Sequence, residues 1–187
     1  MIVAAFDFDG TLTRRDSLVP FLAGHVGRAV TVRGLVAAAK TFGDRSARKQ
    51  ALLDRTLRGR PVDEIARAGA AYAARLVATG MRRDTLALLA GHRANGHRPV
   101  IVSASPELYV RAAGRLLGID DVLGTRLEVD DAGRLTGRYD GRNCLGEEKV
   151  ARLEEWLADR EATLLYAYGN SAGDDALLAR ADVPTRV

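Results

Sequence analysis

The run Ile2-Val3-Ala4-Ala5-Phe6 carries no polar side chain and stops at Asp7-Phe8-Asp9-Gly10-Thr11. Five apolar residues closed by a glycine turn fit a strand buried on both faces, the place of a central strand in a parallel sheet covered by helices. Such a strand suits an α/β fold. In such sheets ligands bind beyond the carboxyl ends of the strands, where Asp7 and Asp9 follow. Two acids so close repel unless a cation or proton lies between them. These residue types suit a nucleophilic carboxylate and a partner acid beside a hard, oxygen-bound metal, with Gly10 and Thr11 turning the chain and offering donors to a phosphate. The plainer alternative is an acidic turn after a strand.

After Thr11 the pattern turns helical, rich in Ala, Leu and Arg, with breaks at Gly24 to Gly27, Gly43-Asp44 and Gly59-Arg60-Pro61. Four helices are expected, over 17–24, 28–41, 45–58 and 62–79. From residue 84 strands and helices alternate. A helix from Asp84 to Asn95-Gly96 precedes a buried strand, Pro99 to Val102, that ends at Ser103. Ser105-Pro106-Glu107 starts a helix ending at Gly118, and strand-like pieces at 127–129 and 135–139 flank the turn Asp130-Asp131-Ala132-Gly133. Gly146-Glu147-Glu148-Lys149 opens another helix, and Thr163 to Tyr168 forms a strand running into Gly169-Asn170-Ser171-Ala172-Gly173-Asp174-Asp175. Such alternation implies a parallel sheet with right-handed crossovers. Residues 1–13 and 83–187 then form an α/β core, and 14–82 are a helical insertion.

Charge divides the chain along the same line. Residues 14–82 hold fourteen Lys/Arg against five Asp/Glu, whereas the rest holds fourteen against nineteen. A basic insertion over an acidic strand edge would concentrate an anionic substrate. Nucleic acid is not an expected partner, because aromatic residues do not interleave with the basic ones and no recognition motif occurs. Val30 to Phe42 is apolar enough to touch a membrane surface, yet Arg33 and Lys40 interrupt it, so packing within the insertion is expected. No apolar run reaches the roughly 18 residues of a membrane span. The chain starts directly with the strand, without a secretory leader, which makes a cytoplasmic protein the expectation. One cysteine, Cys144, excludes an internal disulfide, and the three scattered histidines give no zinc-type spacing.

Three strand ends thus present polar groups on one edge: Asp7 and Asp9, Ser103, and the Asn170 to Asp175 loop. Lys149 can reach the same edge. Carboxylates, a hydroxyl, an ammonium and turn amides together suit phosphoryl transfer. In this order the residues resemble the four motifs of the haloacid dehalogenase superfamily, Asp7 to Thr11 matching the first, Ser103 the second, Lys149 the third and Gly169 to Asp174 the fourth. The resemblance covers nearly the whole chain. It implies a Rossmannoid three-layer α/β/α core with an inserted helical cap of the C1 type. Ser103-Ala104-Ser105-Pro106-Glu107 and Cys144 to Val150 look like subfamily IB, which includes phosphoserine phosphatase.

By motif position the resemblance implies Asp7 as nucleophile, forming an aspartyl-phosphate, and Asp9 as general acid and base. Gly10, Thr11, Ser103 and Ala104 would bind phosphate, and Lys149 would offset its charge. Magnesium would be held by Asp7, the main-chain carbonyl of Asp9, Asn170 and Asp174. The fourth motif of the family commonly begins Gly-Asp, so Gly169-Asn170 removes one negative charge and implies weaker metal binding. The partner would be a small phosphate ester, bound without stable membrane insertion by a monomer or homodimer. A phosphatidylglycerophosphate phosphatase-type lipid phosphatase, a phosphotransferase and a non-catalytic phosphate-binding regulator are the alternatives. Asp16 is open to two readings, contact with a cationic substrate group or capping of the first insertion helix. Arg48 and Lys49 are candidates for a substrate anion. Closure of the insertion on linkers near 12–16 and 80–84 is expected to exclude water.

Overall fold

The computed structural model describes residues 1–187. Five strands, β1 (Ile2–Phe6), β2 (Arg98–Pro106), β3 (Asp121–Thr125), β6 (Leu164–Gly169) and β7 (Val183–Arg186), form one parallel sheet in the order β3-β2-β1-β6-β7. The apolar opening run is the central strand, and Val3 to Phe6 are fully buried. Its alternating side chains divide the interior. Ala4 and Phe6 join Ile101 and Tyr168 in one core, while Val3 and Ala5 join Val100, Val102, Leu165 and Ala167 in the other. Helices α5 (Arg83–Ala94) and α6 (Glu107–Leu117) cover the first face, and α7 (Glu147–Leu157) and α8 (Asp175–Arg180) the second. The result is the expected three-layer α/β/α sandwich.

Phe6 lies opposite Ile101 and Tyr168 in the parallel register, so β1, β2 and β6 end together. This alignment delivers residues from distant parts of the chain to one edge. The edge strands β3 and β7 have no counterpart in the sequence reading. Asp121 and Gly124 break the apolar run of one, and Pro184 stands in the other; both tolerate this because each pairs on one side only. Strand β2 also runs further than expected, through Ser105 to Pro106. The proline disfavours helical backbone in the residue before it, so Ser105 stays extended and the helix begins at Glu107.

The insertion contains α1 (Leu18–His25), α2 (Arg28–Lys40), α3 (Arg45–Leu57) and α4 (Val62–Thr79), within one or two residues of the expected helices. Asp44 caps α3 by accepting from Ala47 N at 2.9 Å. The two linkers are stitched together: Thr13 and Met81 form an antiparallel bridge, Arg14 N donates to Gly80 O and Arg82 N to Leu12 O, each at 2.9 Å.

More than linkers joins insertion to core. Helix α4 packs along α6, where a Cβ on Gly69 would stand 2.8 Å from Leu108 O, so only glycine permits this approach without a shift. The hairpin β4 (Leu127–Val129) and β5 (Leu135–Tyr139) pairs with the α3–α4 turn, Gly59 N donating to Leu135 O at 2.8 Å and Leu135 N to Arg60 O at 2.9 Å. Tyr139 OH and Asn143 Nδ2 donate to Ser46 O and Ser46 Oγ, both at 2.9 Å. A closing motion must carry the hairpin along or break these bonds, so simple rotation on two linkers does not describe this insertion.

Candidate active site

Asp7 follows β1 directly, its N–H donating to Tyr168 O at 2.9 Å, which extends the strand pairing one residue past Phe6. Its carboxylate is buried. Oδ1 accepts from Lys149 Nζ at 2.6 Å and Oδ2 from Thr11 Oγ1 at 2.9 Å. Lys149, in the first turn of α7, is only 1% exposed and also donates to Asp174 Oδ1 at 2.6 Å. One ammonium thus serves two buried carboxylates. Burial raises the Asp7 carboxyl above its ordinary value and Asp174 adds to this, against the pull of Lys149. Asp174 goes the other way, because Lys149 and the Ser171 donors outweigh its burial.

Asp9 has a different environment. Oδ1 accepts from Ser17 N at 2.9 Å, and Oδ2 accepts from Ser105 Oγ. Behind Ser105 stands a buried relay: Tyr109 OH donates to Ser105 Oγ at 2.9 Å, and Ser17 Oγ lies 3.0 Å from Tyr109 OH. Tyr109 has one proton and gives it to Ser105, so Ser17 is the donor to Tyr109. Burial is the main cause that raises the Asp9 carboxyl to about 6, with the Ser105 and Ser17 bonds pulling it down. Two carboxylates two residues apart are therefore tuned differently, one clamped by a cation and one held by neutral donors.

Sequence reasoning treated Ser105 as a helix start and passed over Ser17, Tyr72 and Tyr109. The pairing of Ser105 with Tyr109 at helical spacing was a usable signal. Ser17 and Tyr72, whose hydroxyl donates to Ser17 O at 2.9 Å, had none.

A cavity of about 190 Å³ opens onto both acids, lined also by Ser103, Ala104, Lys149, Asp16, Arg45 and Lys49. Ser103 is buried, its Oγ accepting from Ser105 N at 3.0 Å, which leaves its hydroxyl proton for a ligand. Lys49 donates to Asn143 Oδ1 at 2.9 Å and to Ala104 O, and burial lowers its ammonium to about 7. Arg48 is exposed. Asp16 Oδ1 accepts from Leu18 N and Val19 N at 3.1 and 3.3 Å, so it caps α1 and faces the cavity at once. Cys144 is no rival nucleophile, because burial pushes its thiol up to about 11.

Two expectations change here. Thr11 is fully buried outside the cavity, and its single proton is directed at Asp7, so it positions the nucleophile rather than binding phosphate. The Gly10 amide is also engaged, donating to Thr13 Oγ1 at 3.2 Å, and its carbonyl accepts from Arg82. Asp174 is engaged on both oxygens, as Asp7 is: Lys149 holds Oδ1, while Asn170 N, Ser171 N and Ser171 Oγ donate to Oδ2 at 3.1, 2.9 and 2.9 Å. It is the anchor of the lysine and of the loop. Gly10 sits at φ +81°, where a side chain is strained, and a Cβ there would meet the Asn170 side chain at 2.1 Å and force it to shift.

The remaining oxygen donors fit a hard cation. Asn170 Oδ1 lies 3.5 Å from Thr11 Oγ1, itself 2.9 Å from Asp7 Oδ2, and the Asp9 carbonyl is two residues from Asp7. No group of three or more His, Cys, Asp or Glu side chains comes together, so amide and main-chain oxygens would complete such a set. The shared lysine leaves the buried carboxylates one positive charge short, which is the deficit a cation would meet.

An open parallel sheet with a lysine-clamped carboxylate and a second carboxylate, raised by burial, at its carboxyl edge defines a hydrolase of the phosphatase type. Residues 4–179 match the haloacid dehalogenase-like hydrolases, and the chain belongs to that family. It is 39% identical over 186 residues to the protein CicA of Caulobacter vibrioides, covering 97% of this chain and 83% of that protein. A histidinol-phosphatase of Neisseria meningitidis is 35% identical over 105 residues, 54% of this chain and 47% of that enzyme. A substrate-bound phosphoserine phosphatase structure shares the fold, with a TM-score of 0.65 at 21% identity over 96% of this chain and 82% of the other. No helix is long and apolar enough to cross a membrane.

Proposed function

We propose that the protein is a magnesium-dependent phosphomonoesterase acting on a small phosphate ester through an aspartyl-phosphate. The observation that carries this reading is the division of roles between Asp7 and Asp9. Asp7 would attack phosphorus, with Lys149 offsetting the charge shared by carboxylate and phosphate and Thr11 fixing its orientation. The P–O bond to the leaving group breaks as the Asp7–P bond forms, and Asp9 gives its proton to the departing alkoxide. In the second half Asp9, now ionised, takes a proton from water, which attacks phosphorus and frees Asp7. Ser103 would donate to a phosphate oxygen at the rim.

Magnesium, held by Asp7, the Asp9 carbonyl, Asn170 and Asp174, would supply electrostatic stabilisation of charge on the transferring group. The measurement that tests the reading is magnesium-dependent release of phosphate from a generic aryl phosphate. No release with or without the metal would reject it. Because Asn170 contributes an amide where a carboxylate would add charge, Asn170→Asp is expected to lower the magnesium concentration for half-activation by about tenfold. The substitution keeps the side-chain shape against Gly10. An unchanged requirement would remove Asn170 from the metal set.

A pH prediction follows from the Asp9 relay. The Ser105 bond lowers the Asp9 pKa, so Ser105→Ala raises it. Phosphorylation needs protonated Asp9, so the basic limb of kcat/KM is expected to move upward by roughly one pH unit. A limb that stays in place would show that another group donates the proton.

For the substrate, Asp16 favours an ester with an ammonium near the phosphate, since its Oδ2 has no protein donor while Oδ1 caps α1. The amino-phosphate substrates in the names of the two phosphatase relatives agree with this. A panel of phosphoserine, histidinol phosphate, sugar phosphates and phosphatidylglycerol phosphate separates this class from the lipid alternative. Added alcohols that capture phosphate would instead identify a phosphotransferase.

A further inference from the structure

Helix α2 does not bury its apolar residues as the sequence led one to expect. It packs inward through Thr31, Gly34 and Ala38, all buried, with Gly34 closing on Leu52 and Thr56 of α3. The larger apolar residues point the other way. Val32 is 57% exposed, Val36 50% and Leu35 37%, and Phe42, in the turn after the helix, is 99% exposed. Small residues inside and large apolar ones outside invert the usual partition, which marks a face built to be covered. At helical spacing Val32, Leu35, Val36 and Ala39 form one stripe.

The charge along α2 has one sign. Between Ser17 and Gly43 there is no Asp or Glu, and the ionisable residues are His25, Arg28, Arg33 and Lys40. Arg28, Arg33 and Lys40 are exposed. Arg33 and Lys40 lie along the stripe and, with Arg55 of α3, line a shallow groove beside Val30 and Val36 that contains no acid.

We propose that this face docks the protein peripherally on an anionic lipid bilayer. Phe42 and the Val32-Leu35-Val36 stripe enter the interfacial layer, and Arg28, Arg33 and Lys40 pair with headgroup phosphates. Charge complementarity selects this occupant: apolar residues bordered by cations, the nearest acid in sequence being Asp44, whose carboxylate caps α3, match a surface that is apolar beneath and negative above. Docking is peripheral because α2 has only 13 residues and no helix can cross a membrane. The turn that carries Phe42 leads straight into α3, whose Arg45 and Lys49 line the active-site cavity. The proposal is independent of the reaction assigned to that cavity.

Flotation of the full chain with vesicles tests it, comparing phosphatidylcholine alone with an equal mixture of phosphatidylcholine and phosphatidylglycerol. Binding is expected with the mixture only, weakening as salt is raised. Phe42→Asp and Lys40→Glu are each expected to reduce it, by roughly tenfold for the phenylalanine and about fivefold for the lysine, with unchanged thermal unfolding. Absence of flotation with the mixture, equal flotation with neutral vesicles, or flotation indifferent to both substitutions would overturn the proposal. So would a concentration-dependent dimer dissolved by Phe42→Asp without vesicle binding, which would assign the face to a second copy of the chain.

Discussion

Asp7→Asn is expected to lower turnover of an aryl phosphate by about four orders of magnitude or more, the scale seen when a nucleophile is removed from a catalytic unit. Folding is expected to persist. The amide oxygen can still accept from Lys149, which keeps its second partner, Asp174. Thermal unfolding in metal-free buffer should even shift slightly upward. The Asp7 carboxyl is raised above its ordinary 3.8, and a group raised in the folded state loses its contribution to stability as pH rises through the folded value. Neutral asparagine does not incur that loss. Near-native turnover in a folded Asp7→Asn protein would reject Asp7 as the nucleophile.

The second large effect concerns Lys149. Lys149→Met leaves Asp7 and Asp174 facing each other in a buried site without a cation, and breaking a buried pair from one side costs about 3–5 kcal/mol. For a chain of this size the melting temperature should fall by roughly 10 °C in metal-free buffer at neutral pH. Without the ammonium both carboxyls titrate above their unfolded values, so the folded state binds protons more readily than the unfolded chain. The deficit against wild type is therefore greatest at neutral pH and shrinks as pH falls towards the carboxylate range. An equal deficit at all pH values would show that lost packing, not uncompensated charge, is responsible. Phosphatase activity should be lost along with the offsetting charge.

Lys149 and Asp174 also show how far the sequence could be read. That Lys149 opens a helix near the strand edge was legible from Gly146-Glu147-Glu148-Lys149, because helix starts are encoded locally. Its bridging of two carboxylates was not, since Asp174 lies 25 residues away and its rotamer depends on the loop it anchors. The same holds for Thr11. A hydroxyl after an acidic turn reads equally as a phosphate donor or as a support for the acid, and only the direction of its one proton decides. The edge strands β3 and β7 escaped notice because a strand paired on one side tolerates Asp, Gly and Pro, which erase its pattern.

By itself the sequence determined the central strand, the two acids at its end, the helical insertion and the order in which lysine and loop return to that edge. These follow from apolar runs, turns and caps, whose causes lie within a few residues of each other. Tertiary structure alone decided that Asp9 is held by Ser17 and Ser105 with Tyr109 behind them, that the β4–β5 hairpin is bonded to the insertion, and that the apolar stripe of α2 faces outward. The reason is geometric. Periodicity shows that a helix has an apolar face, but whether that face is covered depends on what the rest of the chain brings against it, and here Gly34 and Ala38 let α3 pack on the opposite side.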